Sequence, residues 1–364
     1  MNQKRLIIFI PSIEGGGVEK NLFIISDFLT KKINDISVIT ISKRFKKKFN
    51  KKIKLISPKL NFWDTIGRRK KFFLSLLLLA IEIFKDRNLL VFCFQGNIYC
   101  TLLCKLLGIK IIVRSNSAPD GWSQNIFKFY CFKYIFKLAN EIIVNSLDFK
   151  KKFKSSFNLE SVCIYNPLNK KEILAKSKLK TKFKFSKNKI NLINVGRFTE
   201  QKDQITLLKA VNFIKKKIKF NLLIVGYGKK KNDLINYINQ NNLQANVKIV
   251  SYQNNPYNLI KSSDIFILSS LYEGLPNVLI EAQALKKFII SSDCPTGPRE
   301  ILLDGKAGYL FKIKNYKSLS KLILKILKNK NDMNKKISVG YKSLNRFDYK
   351  RNLSKYYKIV LSCL

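Results

Sequence analysis

The sequence contains no histidine at all. That absence removes whole classes of chemistry: a Ser-His-Asp or Cys-His nucleophile, a His-ligated metal and a histidine general base are excluded. Cysteine is sparse, 7 residues in 364 with no CxxC pair, which reads as reduced thiols and not as a disulfide framework. Cys100 and Cys104 share a helical face, but without a second pair or a histidine they make a poor metal site. Acidic residues are few, 23 Asp+Glu against 70 Lys+Arg, for a formal net charge of +47. Long apolar runs are missing as well. The greasiest stretch, Phe72–Phe84, falls short of the ~20 residues that span a bilayer and contains Glu82, so a transmembrane chain is not expected. The opening MNQKRLIIFIPSIEGGG has too short an apolar run for a signal peptide.

What is present is globular. A hydrophobic share of 46% over 364 residues supports two ordinary domains, each with its own core. The positive excess has two readings, and both stand at this point. A strong field attracts polyanions, either an anionic membrane face or nucleic acid. Alternatively, a compositional bias fills solvated positions with Lys, Asn, Ile and Phe, all abundant here.

Short apolar runs recur at α/β spacing. Leu6–Ile10 is a buried-strand run followed by Glu14-Gly15-Gly16-Gly17-Val18-Glu19 and a helix with Leu22, Ile25 and Leu29 inward. Strand, glycine loop, helix lets a backbone approach a ligand and offers N–H groups to an anion, although a plain tight turn has the same pattern. The spacing is not GxGxxG, so no nicotinamide site is read. Runs at Ser37–Ile41, Leu89–Phe94, Lys110–Val113, Glu141–Asn145 and Val162–Tyr165 predict a doubly wound parallel sheet. Two helices of this half, near 68–84 and 125–138, interleave Lys and Arg with Phe and Tyr. That pattern suits a membrane boundary, or a core face backed by a solvated one. A seam falls at Asn166-Pro167, and the Lys-dominated residues 168–188 read as a linker.

The α/β pattern restarts at Ile190–Val195, followed by Gly196-Arg197-Phe198-Thr199-Glu200-Gln201-Lys202-Asp203. An arginine and a lysine flanking a glycine turn are suited to grip a diphosphate. Asn221–Val225 runs into Gly226-Tyr227-Gly228, and Val247–Val250 into a polar loop. The strand Ile265–Leu268 leads to Glu273-Gly274-Leu275-Pro276 and a helix expected to begin at Pro276 and to carry Asn277 and Glu281. Phe288–Ser291 then precedes Pro295-Thr296-Gly297-Pro298, Lys312–Lys336 reads as one basic helix, and Tyr349–Leu364 as an amphipathic tail. Two carboxylates around a helix N-terminus suggest a sugar nucleotide, with acids for hydroxyls and amides and cations for the diphosphate.

On Gly196-Arg197 with Lys202, Glu273 followed by seven residues and Glu281, Gly308 near the last strand, and the early Gly15-Gly16-Gly17-Val18-Glu19, the chain resembles the retaining glycosyltransferases of family 4. EGLPNVLIEA and DCPTGPREI look like the branch that elongates bacterial surface polysaccharides and lipid-linked oligosaccharides. The resemblance implies an α/β, GT-B fold: two facing Rossmann-like, doubly wound parallel-sheet domains with a cleft between them. The boundaries expected are an acceptor-side domain 1–167, a linker 168–188, a nucleotide-sugar domain 189–345 and a tail helix 346–364 crossing back to the first domain. It implies that Arg197 and Lys202 neutralise the leaving diphosphate and that Glu281 holds the ribose. Glu273 and the backbone Gly274, Leu275, Pro276 and Asn277 would meet the sugar and phosphates, beside Gly196 and Gly226. Gly15, Gly16 and Gly17 would approach the donor phosphate or the acceptor.

One departure stands out. Many family members carry a histidine near the donor sugar, and here the position reads Arg114-Ser115-Asn116-Ser117. Ser115 or Asn116 is the candidate sugar contact, with a loop residue of no catalytic role as the alternative. The expected activity is transfer of a hexose or N-acetylhexosamine from a nucleotide sugar, UDP-linked, to a lipid-linked glycan. The expected place is the cytoplasmic face of the membrane, held through the two basic-aromatic helices. No cofactor or metal is expected, since the nucleotide sugar is a substrate. The alternatives are a lipopolysaccharide-core or soluble acceptor or, from another class, a non-catalytic nucleic-acid binder. Against the last, the basic residues are spread along the chain and no nucleic-acid motif is recognisable, so no nucleic-acid partner is expected.

Overall fold

A computed structural model describes residues 4–116, 125–181, 183, 185–186 and 188–364. Ser117, and positions 182, 184 and 187 of the expected linker, lie outside the described residues. The chain divides into two compact units, one of Met1–Pro167 with Tyr349–Leu364 and one of Leu168–Asp348.

The first unit is built on seven parallel strands: β1 Arg5–Phe9, β2 Ile36–Ile39, β3 Lys54–Ile56, β4 Leu89–Cys93, β5 Lys110–Ser115, β6 Glu141–Val144 and β7 Val162–Cys163. Their order in the sheet is β3-β2-β1-β4-β5-β6-β7. The runs are apolar at consecutive positions because both faces are covered. Leu6 and Ile8 meet Leu22, Ile25 and Leu29 of the helix Gly17–Leu29, and Leu353, Tyr356 and Val360 of the terminal helix Tyr349–Cys363. On the other face, Ile7, Phe9 and Val91 meet Leu79, Cys100 and Phe136 from the helices Arg68–Lys85, Asn97–Leu106 and Ile126–Lys137.

The second unit has six parallel strands: β8 Ile190–Val195, β9 Phe220–Gly226, β10 Val247–Ser251, β11 Ile265–Leu268, β12 Phe288–Ser292 and β13 Tyr309–Phe311. Their order is β10-β9-β8-β11-β12-β13. In each sheet the chain order reverses once, between β1 and β4 and between β8 and β11. In open parallel sheets ligands bind at that reversal, beyond the carboxyl ends of the strands.

Three local expectations are corrected. The helix after β11 starts at Asn277, with Pro276 as an extended N-cap (φ −69°, ψ 104°) whose carbonyl accepts from the Leu279 N–H at 3.1 Å. The basic segment after β13 is two helices, Tyr316–Lys328 and Lys330–Lys342. Asn329 breaks it, since its non-helical backbone (φ −135°, ψ 77°) lets its side chain accept from the Asp332 N–H at 2.9 Å and start the second helix. Within 168–188, Lys170–Ser177 is a helix capped by Asn169 with Ile173 buried, so that part of the stretch is ordered structure of the second unit.

Candidate functional site

The loop after β8 and the loop after β11 lie side by side at the reversal of the second sheet. The Leu271 N–H donates to the Gln201 carbonyl (2.8 Å), and Gln201 Nε2 donates to the Tyr272 carbonyl (2.9 Å). Lys202 Nζ is ion-paired with Glu273 Oε1, with only 15% and 7% of the two side chains exposed. Ser270 Oγ donates to the same carboxylate oxygen (2.6 Å), and Ser269 Oγ donates to the Lys202 carbonyl (2.9 Å). The end of β12 and the loop after it add two further ties: Ser292 Oγ donates to the Ser270 carbonyl (2.6 Å) and Thr296 Oγ1 to the Glu273 carbonyl (2.6 Å). Glu273 is thus fixed at head group and backbone by three loops. The backbone of half-buried Arg197 is held by Gln204 Nε2, which donates to its carbonyl at 3.0 Å.

Two glycines are required by close approach. A Cβ at Gly226 would overlap the Gly196 carbonyl oxygen, so β9 can reach the loop after β8 only with hydrogen there. Gly297 has φ +86°, and a Cβ on it would overlap the Gly274 carbonyl oxygen and stand 2.9 Å from Pro276 Cδ. Gly196 itself is in ordinary contact with the Lys202 stem, 3.6 Å from Cδ to an added Cβ.

The helix Asn277–Ala284 opens beside this cluster, reached through Gly274, Leu275 and Pro276. Its first N–H groups have no partner within the helix, and the helix end is electropositive. Glu281 lies on its fifth residue and is buried. An arginine, a lysine and a helix mouth lined by close-packed glycine backbone are the parts of a diphosphate site. The nearby Cys294 is no nucleophile: burial, reinforced by the Glu273 carboxylate, pushes its thiol up to about 12.

Gly15, Gly16, Gly17, Ser115 and Asn116 belong to the first unit, at the carboxyl edge of its sheet. Gly15 needs its glycine for φ +81°. Behind it, the buried Glu19 carboxylate accepts from the Glu14 N–H (3.3 Å), and its Oε2 would stand 3.0 Å from a Cβ on Gly16. The helix Gly17–Leu29 therefore carries a carboxylate of its own at its N-terminus, where a phosphate would also be drawn. Asn116 is anchored: Arg114 Nη1 donates to its Oδ1, and its Nδ2 donates to the Phe94 carbonyl at 3.2 Å. Arg114 is fully buried and also donates to the Tyr356 hydroxyl (2.9 Å) and to Asn166 Oδ1 (2.7 Å). Ser115 is buried beside it.

Sequence reasoning singled out neither the serines that hold Glu273 nor Arg114. The paired Ser269-Ser270 and Ser291-Ser292 directly after apolar runs were the available signal. It also passed over Gln95 and Asn97 beside β4, whose Oε1 and Oδ1 are buried without a hydrogen-bond partner.

Comparison with known proteins matches residues 175–343 to the family described as Glycosyl transferases group 1. An uncharacterized glycosyltransferase of Methanocaldococcus jannaschii is 34% identical over 286 residues, 68% of this chain and 70% of that one. The N-acetylgalactosamine-N,N'-diacetylbacillosaminyl-diphospho-undecaprenol 4-alpha-N-acetylgalactosaminyltransferase of Campylobacter jejuni is 27% identical, covering 87% of this chain and 88% of that one. Among solved structures, an Anabaena protein in complex with UDP superposes with a TM-score of 0.77 at 14% identity, over 98% of this chain and 100% of that one.

Proposed function

The chain belongs to the group 1 glycosyltransferases and has the GT-B fold, and from that premise we propose that it is a retaining, family 4 enzyme. In this reading it moves a hexose or N-acetylhexosamine from a UDP-sugar to a lipid-linked glycan in surface-polysaccharide or glycan assembly. The observation that carries the proposal is the Lys202–Glu273 pair, held at the sheet reversal where the loop after β8 meets the loop that leads into the helix Asn277–Ala284. Arg197 and Lys202 neutralise the diphosphate as it leaves, Glu281 takes the ribose hydroxyls, and Glu273 with the Gly274–Asn277 backbone orients the sugar and phosphates. These cations and the helix end do the work of a divalent ion, so transfer needs no metal. Gly15–Gly17 meet the acceptor: with Glu19 already at the helix N-terminus, hydroxyls suit that loop better than a second phosphate. A lipid-linked acceptor is favoured over a soluble one by the polyprenyl diphosphate glycan in the name of the Campylobacter relative.

Donor binding is tested by heating the protein with a panel of nucleotide sugars. UDP-hexoses or UDP-N-acetylhexosamines should raise the melting temperature, by the equivalent of about 2.7 kcal/mol at a hundredfold excess over Kd. Glu281→Ala should weaken that donor by about 1–3 kcal/mol, the loss of a hydrogen bond to a charged group. A panel in which no nucleotide sugar shifts the melting curve overturns the reading.

The protein works on the inner face of the membrane, drawn there by its positive field. Among the described residues no helix is long and apolar enough to cross a membrane, so the attachment in this reading is peripheral. Of the basic run opening the helix Arg68–Lys85, Arg68, Arg69 and Lys70 are exposed. Lys71 points inward, donating to the Asp64 carbonyl at 2.8 Å, and burial lowers its pKa. Lys71 therefore drops out of the expected membrane contact. Binding to anionic vesicles should fall steeply with salt, because exposed charges are screened beyond ~8 Å at physiological ionic strength. The Arg68→Ser/Arg69→Ser/Lys70→Ser variant should bind more weakly with an unchanged melting temperature. Equal affinity for neutral and anionic vesicles contradicts this electrostatic attraction.

A further inference from the structure

Three helices of the first unit carry a second apolar stripe that stays exposed among the described residues. Arg68–Lys85 buries Ser75, Leu79 and Ile83, yet Phe73, Leu77, Ile81 and Phe84 recur at helical spacing on its exposed side, Phe84 at 73% exposure. Asn97–Leu106 buries Cys100 and Cys104 and exposes Tyr99, Leu102 and Leu106, the last at 75%. Ile126–Lys137 buries Phe136 and exposes Ile126, Phe127, Tyr130 and Tyr134, with Ile126 at 75%. Single exposed apolar residues are ordinary, but such stripes on three helices of one layer are of the kind that marks an interface.

The stripes lie on neighbouring helices. All three helices pack on the same face of the sheet, with Asn97–Leu106 in contact with each of the other two. Gly96, at the start of the middle helix, has φ +78°, and a Cβ there would stand 2.6 Å from the Phe72 ring. The patch is also one-signed. The three helices contain five, one and three Lys or Arg respectively, and their one acidic residue, Glu82, is buried and paired with Arg5 (2.8 Å) and Lys85 (2.9 Å).

We propose that this three-helix face, with Asn97–Leu106 at its centre, inserts into the headgroup layer of an anionic bilayer. The apolar stripes reach the acyl boundary and the surrounding Lys and Arg meet lipid phosphates. A second copy of the chain is a poor occupant, because a two-fold pairing would set this basic face against itself. The inference rests on the membrane reading above and adds to it: docking is by apolar insertion through a helix that lies outside the two basic-aromatic segments, and not by charge alone.

The test is co-sedimentation of the full chain with phosphatidylcholine–phosphatidylglycerol vesicles across a salt series. Wild-type binding should fall as salt screens the charges but level off at a residual, salt-resistant partitioning that the apolar stripes supply. The variants Tyr99→Ser/Leu102→Ser/Leu106→Ser and, on a separate helix, Phe73→Ser/Phe84→Ser change only exposed positions. Each should reduce partitioning by at least about tenfold, equivalent to roughly 1.4 kcal/mol of insertion energy. The melting temperature and its shift with donor should not change. If wild type binds vesicles and both folded variants bind equally well, this face is wrong while the membrane reading survives. If wild type binds no vesicle, both fall. A stable wild-type dimer that the variants convert to monomer overturns the proposal in favour of a second copy.

Discussion

Replacing Lys202 with alanine is expected to slow sugar transfer on the order of 10²-fold or more, as for loss of a pre-organised charge stabiliser. Arg197→Ala should do the same. Negative charge grows on the diphosphate as the glycosidic bond breaks, and both side chains lie on the loop beyond β8, where the sheet order reverses. Lys202 has a second role that must be separated from the first. It is ion-paired with the nearly buried Glu273, so deleting it alone leaves an uncompensated carboxylate, at a cost of about 3 kcal/mol. Lys202→Ala/Glu273→Gln removes both charges and should recover most of the lost stability without recovering turnover. Melting temperature and kcat measured on the two single variants and the double variant decide between the roles. Recovery of both in the double variant would make Lys202 a structural partner only.

Gly297→Ala is expected to be the most damaging single-methyl change in the second unit, destabilising it by about 4 kcal/mol. Its left-handed φ of +86° disfavours any side chain, and the added carbon has nowhere to go between the Gly274 carbonyl and Pro276 Cδ. Those atoms lead into the helix Asn277–Ala284, so protein that still folds should lose the melting-temperature rise with donor. A variant with normal stability and a normal donor shift would show that the loop after β12 adapts freely and does not hold the helix mouth.

The apolar runs made most of the strands legible, because parallel strands covered on both faces are continuous blocks such as Leu6–Phe9 and Ile265–Leu268. β3 had no such signal: it is three residues long and only partly buried. The residues of the candidate site were readable by type, but their pairing was not. Lys202 and Glu273 are 71 positions apart, and only the sheet order, with β8 beside β11, brings their loops together. The direction of Lys71 was hidden for a different reason. In a helix apolar on two sides, sequence does not say which stripe faces the core, and the buried one runs through Lys71, Ser75 and Leu79. The outward stripe of Asn97–Leu106 is hidden likewise, because Tyr99, Leu102 and Leu106 share the helix with an equally apolar inner face at Cys100 and Cys104. Ser115 or Asn116 is a candidate sugar contact only through the resemblance, and nothing in the sequence shows that buried Arg114 fixes the Asn116 side chain.

The stereochemistry of transfer is the most direct measurement of the proposed function. An inverting enzyme needs a protein base on the acceptor side. In the proposed reading, with no histidine in the chain, Glu273 and Glu281 assigned to the donor, and Glu19 taken up by the Glu14 N–H at the helix N-terminus, the departing phosphate oxygen serves as the base. That oxygen takes the proton of the acceptor hydroxyl on the face from which it leaves, while Arg197 and Lys202 stabilise the charge it carries. Proton NMR of the anomeric centre of the product, made from an α-linked UDP-sugar, should therefore show an α-linkage. A β-linkage from that donor would contradict both the mechanism and the assignment to the retaining family.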